Sequence, residues 1–363
     1  MTKKERISAA LNFERADRVP LLGGFVVSAN HFVELSGVTE DEFFKSPERY
    51  AIETYRKLGV DGLILLSLPP GREGHFQYRG LTLEEFRAHE KSFQSPEDVL
   101  AHVEGLPSPG EALKAFDAPK WKNDFIRDLT GMQEKLGEIV WLPTQWDVIH
   151  PTFEWYNAFG YENYLEFLAL YPRSAQKLFG SQAEVQRRRA ELLVEIYKEF
   201  DIAPLVHLGT DICGKNGPVV SPKFLRENYF PFIRMTLEPL TRAGFRTVWH
   251  SDGVITPLID DLLDCGISGF QGFQWEYGVR LEEIVKKRTR EGERLTIFAG
   301  PSSSSTLPFG SKEDVRREIE HIIDVSRDSC ALFLLPANCV LPDTPVENLI
   351  ETYESAAEYG KRR

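Results

Sequence analysis

The sequence lacks the features of a membrane, secreted or nucleic-acid-binding protein. No apolar run approaches the roughly 18 residues of a membrane span, and the basic start, residues 1–12, is typical of an amphipathic helix and not of a signal peptide. Lysine and arginine number 43 against 55 acidic residues, a net charge of −12, which argues against nucleic acid or an anionic membrane as a partner. We expect a cytoplasmic protein.

Cysteine is also scarce. The four cysteines, Cys213, Cys265, Cys330 and Cys339, are too few and too scattered for a disulfide scaffold. A hydrophobic content of 42% and a charged content of 27% are instead typical of a globular protein. A chain of 363 residues can bury a large core, and α/β barrels of this length form single domains.

The chain contains a regular alternation of short apolar runs and segments of helical periodicity. We predict strands at residues 19–25, 62–66, 139–142, 204–208, 246–250, 268–273, 295–299 and 331–335. Eight strands alternating with helices predict a (β/α)8 TIM barrel, one domain over residues 1–363 with an N-terminal extension. The alternative is an open doubly wound sheet, but no Gly-x-Gly-x-x-Gly follows the first strand.

Helix starts support this alternation. Ser, Thr and Pro followed by acidic residues mark N-termini at residues 95–98, 311–314 and 344–347. Long amphipathic helices are predicted over about residues 173–199 and 222–243. Residues 71–124 fit the alternation poorly, so we predict an insertion with short helices near the barrel mouth.

The sharpest candidates for chemistry are His250 and Asp252. Active sites of α/β barrels form at the carboxyl ends of the strands. His250 ends the fifth strand, and Asp252 follows two positions later, so both side chains project to one side. An imidazole and a carboxylate can hold Zn²⁺ or act as an acid–base pair. A structural alternative is that His250 packs at the mouth and Asp252 caps the helix starting near Ile255.

Other candidates stand at the same predicted mouth. Cys339, after the eighth strand, would complete three zinc ligands with His250 and Asp252. His207, in the fourth strand, would line the barrel interior or be a hydrogen-bonded core histidine, and Asp211 follows that strand as an acid–base candidate. Aromatic and amide side chains favour an apolar cavity for the substrate, whose expected contacts are Phe25, Gln145, Trp146, Gln274 and Trp275.

Three segments together resemble the uroporphyrinogen decarboxylase superfamily. They are KKERISAALNFERADRVP at residues 3–20, WHSDGVITPLIDDLLDCGISG at 249–269 and LPANCVLPDTPVENL at 335–349. The resemblance runs over essentially the whole chain and implies a (β/α)8 barrel. True uroporphyrinogen decarboxylases carry an Arg-Gln-Ala-Gly-Arg-type motif after the first strand, whereas residues 22–31 contain no arginine. Decarboxylation of uroporphyrinogen is therefore not expected.

The resemblance implies instead the zinc methyltransferases of the superfamily, which exchange methyl groups with a corrinoid protein. Their metal site is a His-x-Cys pair with a distant cysteine. His250 matches its first ligand and Cys339 its last, but Asp252 replaces the middle cysteine. A carboxylate makes the site harder and more Lewis-acidic, which suits an ether oxygen better than a thiolate, and Glu276 would add a further carboxylate ligand.

The leading hypothesis is a zinc-dependent methyltransferase acting between a small substrate, such as a methoxylated aromatic, and a corrinoid protein or related carrier. One alternative is a metal-free lyase or decarboxylase of a small carboxylated substrate, with His250 and Asp211 or Asp252 as acid–base groups. Another is a barrel without catalysis that binds a ligand or partner. The resemblance also suggests a homodimer.

Overall fold

The computed structural model describes residues 1–69 and 93–362, together with the backbone of Gln77–Tyr78 and Leu81–Thr82. All eight predicted strands are present, although most are shorter than predicted. They are β1 (Leu22–Gly23), β2 (Gly62–Leu63), β3 (Val140–Trp141), β4 (Leu205–Gly209), β5 (Arg246–His250), β6 (Gly269–Gln271), β7 (Thr296–Ala299) and β8 (Ala331–Leu334).

The strands pair in parallel and in chain order. β1, β2 and β3 form one sheet, and β4 to β8 form another. At one junction the amide of Leu334 donates to the Pro20 carbonyl at 2.9 Å, and Leu21 forms a parallel bridge with Leu334. At the other the amide of Gln145 donates to the His207 carbonyl at 2.8 Å. The prediction of a (β/α)8 barrel is confirmed.

Alternate strand residues face two different apolar clusters. Leu205, Val248 and Phe298 belong to the cluster inside the barrel, whereas Val206, Trp249 and Ile297 pack against the outer helices. Because side chains alternate along a strand, residues at even spacing from the inner set also face the interior. His207 of β4, His250 of β5 and Gln271 of β6 therefore lie on the inner face, towards its carboxyl end.

Helices cover the outside of the ring, and Lys3–Leu11 precedes β1. Between β1 and β4 the helices are Ala29–Ser36, Glu40–Lys45, Pro47–Lys57, Pro96–Glu104, Pro109–Ala115, Ala118–Leu136, Tyr156–Phe159, Tyr161–Leu170, Pro172–Gly180 and Ala183–Glu199. Beyond β4 they are Pro222–Asn228, Phe230–Arg242, Ile259–Asp264, Leu281–Ile284, Thr306–Phe309, Lys312–Ser326 and Val346–Tyr359. Short 3₁₀ turns lie at Thr256–Leu258, Trp275–Tyr277 and Gly360–Arg362, and a hairpin pairs Cys213–Gly214 with Gly217–Pro218.

The structure corrects several helix boundaries. Ser95 and Ser311 cap their helices as predicted, each with a capping box. The helix predicted over 222–243 is instead two helices that meet at Tyr229, because Pro231 has no amide for the ladder and starts a new helix. The helix predicted over 173–199 is likewise divided after Gly180. Helix Ala118–Leu136 continues past residue 124, the predicted end of the insertion. Residues 71–92 of that insertion lie outside the described residues apart from Gln77–Tyr78 and Leu81–Thr82.

Candidate metal and active site

The ends of β4 and β5 bring three predicted residues together. Asp211 and Asp252 each lie two residues beyond their strand, and His250 is the last residue of β5. His250 Nε2 is 3.7 Å from Asp211 Oδ1 and 3.8 Å from Asp252 Oδ1. Within the described ranges, this is the group of His, Cys, Asp and Glu whose ligand atoms lie within 4.8 Å of one another. We call it the triad.

Two glycines allow this close packing. Gly209 of β4 is in register with His250 and has a φ of 137°, and a Cβ there would lie 2.2 Å from the His250 carbonyl oxygen. Gly272 has a φ of 96°, and a Cβ there would lie 3.1 Å from His250 Nδ1. A side chain at either position would displace the histidine.

The orientation of the His250 ring is determined by Gln271, its partner in the β5–β6 register. Gln271 Nε2 donates to the carbonyl oxygen of Ala337 at 2.6 Å, so Oε1 faces His250 Nδ1 and accepts from it. A neutral His250 therefore carries its proton on Nδ1. Its Nε2 lone pair then points towards the two triad carboxylates, which is the tautomer of a metal ligand.

Each triad carboxylate is held by further hydrogen bonds. The backbone amide of Asp252 donates to Asp211 Oδ1 at 2.7 Å, and Asn338 Nδ2 donates to Asp252 Oδ1 at 2.6 Å. Glu154 Oε1 accepts from the backbone amide of Asp211 at 3.2 Å. The carboxylates are thus fixed beside the histidine, although both remain partly open to solvent.

The negative charge of the two triad carboxylates is not balanced by positively charged side chains among the described residues. Burial is the main cause of a raised Asp211 pKa, His250 opposes it, and the nearby charges of Asp252 and Glu154 raise the pKa further. Within residues 1–69 and 93–362, no lysine or arginine forms an ion pair with Asp211 or Asp252. A bound cation, or a proton on His250, would relieve this repulsion.

The donor set fits a divalent cation. Ligands at 2.0–2.2 Å from a tetrahedral zinc lie about 3.3–3.6 Å from one another. The nitrogen–oxygen separations of 3.7 and 3.8 Å need only a small contraction, and they are too long for direct hydrogen bonds. One imidazole and two carboxylates would be three protein ligands, the number in catalytic zinc sites.

Cys339, the third ligand predicted from the sequence, lies outside the triad, whose third member is Asp211. Cys339 is exposed at the rim, but partial desolvation and the charge of Asp252 raise the pKa of its thiol to about 11. The thiol is therefore protonated at neutral pH. Glu276 is also outside the triad, because its carboxylate accepts hydrogen bonds from Ser302, at 3.3 Å, and Ser304.

Three aromatic side chains lie close to the ring of His250. The ring centroids of Trp146, His207 and Phe25 lie 5.7, 6.1 and 6.5 Å from that of His250. The Thr144 hydroxyl donates to the Ile64 carbonyl, so it accepts from His207 Nδ1 at 2.9 Å. Burial lowers the pKa of His207 to about 3, and this ring is therefore neutral at physiological pH.

The remaining predicted substrate contacts have structural roles in this conformation. Gln145 is buried and donates to the Pro143 carbonyl at 2.9 Å. Gln274 Oε1 accepts from the amide of Gly253 at 2.6 Å, which supports the loop that carries Asp252. Trp275 stacks on Phe273 with centroids 5.3 Å apart and lines a separate cavity of about 570 Å³ outside the triad.

The sequence did not single out three residues that support the triad: Gln271, Asn338 and Glu154. A buried glutamine within an apolar strand is the only signal that could have pointed to Gln271.

Another cavity, of about 970 Å³, lies at the opposite end of the barrel beside Met1, Val140 and Ala203. Because catalysis in α/β barrels occurs at the carboxyl ends of the strands, the triad is the better candidate site.

A family model described as Uroporphyrinogen decarboxylase (URO-D) matches residues 158–359, more than half of the chain. The protein belongs to this family. The matched region contains β4 to β8 and all three triad residues, so the candidate site lies in the part of the chain that carries the family pattern.

Comparison with solved structures finds one that shares the fold. A methyltransferase from Methanosarcina mazei aligns with a TM-score of 0.63 over 99% of both chains at 16% identity, which shows a shared fold. A xylose isomerase-like TIM barrel protein from Mycobacterium smegmatis, in complex with magnesium, aligns over 69% of this chain and 90% of its own, with a TM-score of 0.31 and 12% identity. The comparison with curated proteins finds no match. Among the described residues, no helix combines the length and apolar character needed to cross a membrane.

Proposed function

We propose that this URO-D family protein is a zinc-dependent methyltransferase whose metal ligands are Asp211, His250 and Asp252. It moves a methyl group between a small substrate, such as a methoxylated aromatic, and a corrinoid carried by a partner protein. The observation that carries the proposal is the His250 Nε2 lone pair, which faces two carboxylates without a described cationic side chain between them.

The ligand chemistry favours an ether as methyl donor. The triad has one nitrogen and two oxygen donors and no thiolate, so the site is hard and suited to an oxygen-bearing substrate. A divalent cation bound there supplies Lewis acidity, which polarises such an oxygen. In the transfer, the carbon–oxygen bond breaks with its electron pair left on oxygen, which takes a proton from solvent. The corrinoid carrier provides the pair for the new bond to carbon.

The residues around the triad supply binding and orientation. Phe25 and Trp146 pack beside His250, and we expect their apolar surroundings to favour an aromatic substrate over a charged one. His207 next to them contributes no charge, because burial keeps it neutral. The fold shared with the M. mazei methyltransferase is consistent with this function.

The metal content of the protein tests the ligand set. We expect about one divalent cation per chain in protein purified without chelators, and its loss in Asp211→Asn, His250→Ala and Asp252→Asn. Cys339→Ser and Glu276→Gln should keep the metal, since both residues lie outside the triad. A wild-type protein without metal, or loss of metal only in Cys339→Ser, would contradict the proposed site.

Methyl transfer tests the reaction itself. With 2-methoxyphenol as donor and cob(I)alamin as acceptor, wild-type protein should release the demethylated phenol, and Asp252→Asn should not. A metal-free lyase is the second candidate, because the raised pKa of Asp211 beside His250 also suits a proton donor. If the wild-type protein decarboxylates a small carboxylated substrate and keeps this activity in the presence of a strong chelator, the lyase is favoured over the methyltransferase.

A further inference from the structure

Two triad residues are held by one short segment after β8. Gln271 connects His250 to the carbonyl of Ala337, and Asn338 donates to Asp252. His250 and Asp252 come from β5 and the loop after it. Ala337 lies 66 residues after Gln271, and Asn338 lies 86 residues after Asp252. The bonds therefore couple distant parts of the barrel mouth.

The segment is itself fixed to the loop after β7. The amide of Asn338 donates to Ser303 Oγ at 3.0 Å, and that hydroxyl donates back to the Asn338 carbonyl at 2.8 Å. The amide of Ala337 donates to the Pro301 carbonyl at 3.1 Å. Asn338 Oδ1 also accepts from the Cys339 amide at 2.6 Å, which leaves its Nδ2 directed at Asp252.

Gln271 opposes a competing tautomer of His250. Two carboxylate oxygens lie within 3.8 Å of Nε2, and they would favour a proton on that nitrogen. A proton on Nε2 would have to leave before a cation could bind there. The Gln271 carbonyl instead stabilises the proton on Nδ1, and the bond to Ala337 prevents the amide from turning its nitrogen towards the ring.

We propose that Gln271 and Asn338 are positioning residues that prepare the triad for its cation. Gln271 selects the metal-binding tautomer of His250, and Asn338 orients the Asp252 carboxylate. This inference rests on the proposed metal site but concerns residues outside it. Partners of this kind typically change metal affinity by 10–100-fold when they are removed.

The first test is zinc affinity, measured by competition with a chelating dye on the purified full-length protein. Gln271→Met keeps the size of the side chain but removes both hydrogen-bonding groups, and should weaken zinc binding by roughly 10–100-fold. Gln271→Glu keeps an acceptor for Nδ1 but loses the donor to the Ala337 carbonyl, and it should retain more zinc affinity than Gln271→Met. Asn338→Ala should weaken binding by roughly tenfold.

Gln186→Met is the matched control. Gln186 is another buried glutamine that donates to a backbone carbonyl, that of His150, at 2.8 Å, outside the triad. It should lower stability as Gln271→Met does but leave zinc affinity unchanged. Equal zinc affinity in the two methionine variants, both shown to be folded by circular dichroism, would overturn the proposal. If Gln271→Met does not fold, Asn338→Ala decides the proposal by the same measurement, and wild-type zinc affinity in that variant would overturn it.

The second test reads the tautomer in metal-free protein, by ¹⁵N NMR of labelled histidines at a pH where the His250 ring is neutral. His250→Ala identifies the signal. We expect the proton on Nδ1 in wild type and on Nε2 in Gln271→Met. An unchanged tautomer would overturn the role of Gln271. If wild-type protein binds no zinc, the proposed function fails, and the tautomer still decides the role of Gln271 separately.

Discussion

Charged side chains lie close together at both ends of the barrel, and their environments are opposite. At the amino-terminal ends of the strands, Asp61 is fully buried and accepts hydrogen bonds from Arg6 at 2.5 Å and from Arg18 at 2.6 and 3.0 Å. The amide of Leu21 donates to the same carboxylate at 2.8 Å. At the mouth, two carboxylates and a histidine lone pair face one another.

The charges at the amino-terminal end neutralise one another within the fold. The carboxylates at the mouth have no such described partner and are therefore suited to binding a cation. Asp61 is paired on every side, and Arg6 also lowers the pKa of Asp17 by hydrogen bonding, so the amino-terminal group is complete without a ligand. Among the described residues, the triad carboxylates have no such cationic partner, so a bound cation would stabilise them. Natural active sites commonly lower stability in this way, because the groups that bind the ligand repel one another without it.

The largest expected effect is the loss of stability on removing Asp61. Asp61→Ala removes the carboxylate partner of Arg18 and one of the two carboxylates that hold Arg6, so the free energy of unfolding should fall by about 3–5 kcal/mol. Urea unfolding measures this change. Zinc affinity of the folded variant should stay that of wild type, and a loss below 1 kcal/mol would contradict the complete pairing described for this end.

Zinc should stabilise the wild-type protein by linkage. At a free zinc concentration 100 times the Kd, the free energy of unfolding should rise by about 2.7 kcal/mol, because the folded triad binds the cation and the unfolded chain does not. Thermal unfolding with zinc and with EDTA measures the difference. Asp211→Asn should show little of it, and an equal rise in this variant would place the zinc outside the triad.

Acid should destabilise the protein through its buried histidines. The folded pKa of His207, about 3, lies below the unfolded value of 6.5, so the unfolded chain binds more protons between these values and stability falls as the pH drops through 6.5. From pH 7.5 to 5.5 this group alone should cost about 1.4 kcal/mol. His207→Gln should reduce the measured loss by that amount in urea titrations with EDTA, and an identical loss in both proteins would contradict a neutral, buried His207.

A smaller change in the free energy of unfolding is expected when one triad carboxylate is neutralised in the metal-free protein. Asp252→Asn removes a negative charge beside Asp211 and keeps an acceptor for Asn338, so the metal-free variant should be more stable than wild type by roughly 0.5–1 kcal/mol. Unfolding in EDTA measures this gain, which should reverse in sign when zinc is added. A loss of stability in EDTA would show that the mouth is not repulsive.

The sequence by itself determined the eight strands and their order, because alternation of apolar runs and helical segments is a local property of the chain. It also placed His250, Asp252 and Asp211 at the ends of two neighbouring strands. The continuous helices predicted across Gly180 and Tyr229 were wrong, since a proline or glycine in an amphipathic pattern interrupts a helix without changing its period.

Only the tertiary structure decided which candidates meet. Asp211, and not Cys339, completes the triad with His250 and Asp252, because side-chain direction after a strand depends on the loop and not on the spacing along the chain. The pairing of Gln271 with His250 follows from the β5–β6 register, and the link to Asn338 spans 86 residues. Such contacts depend on how strands align in the barrel, which no local pattern of residues specifies.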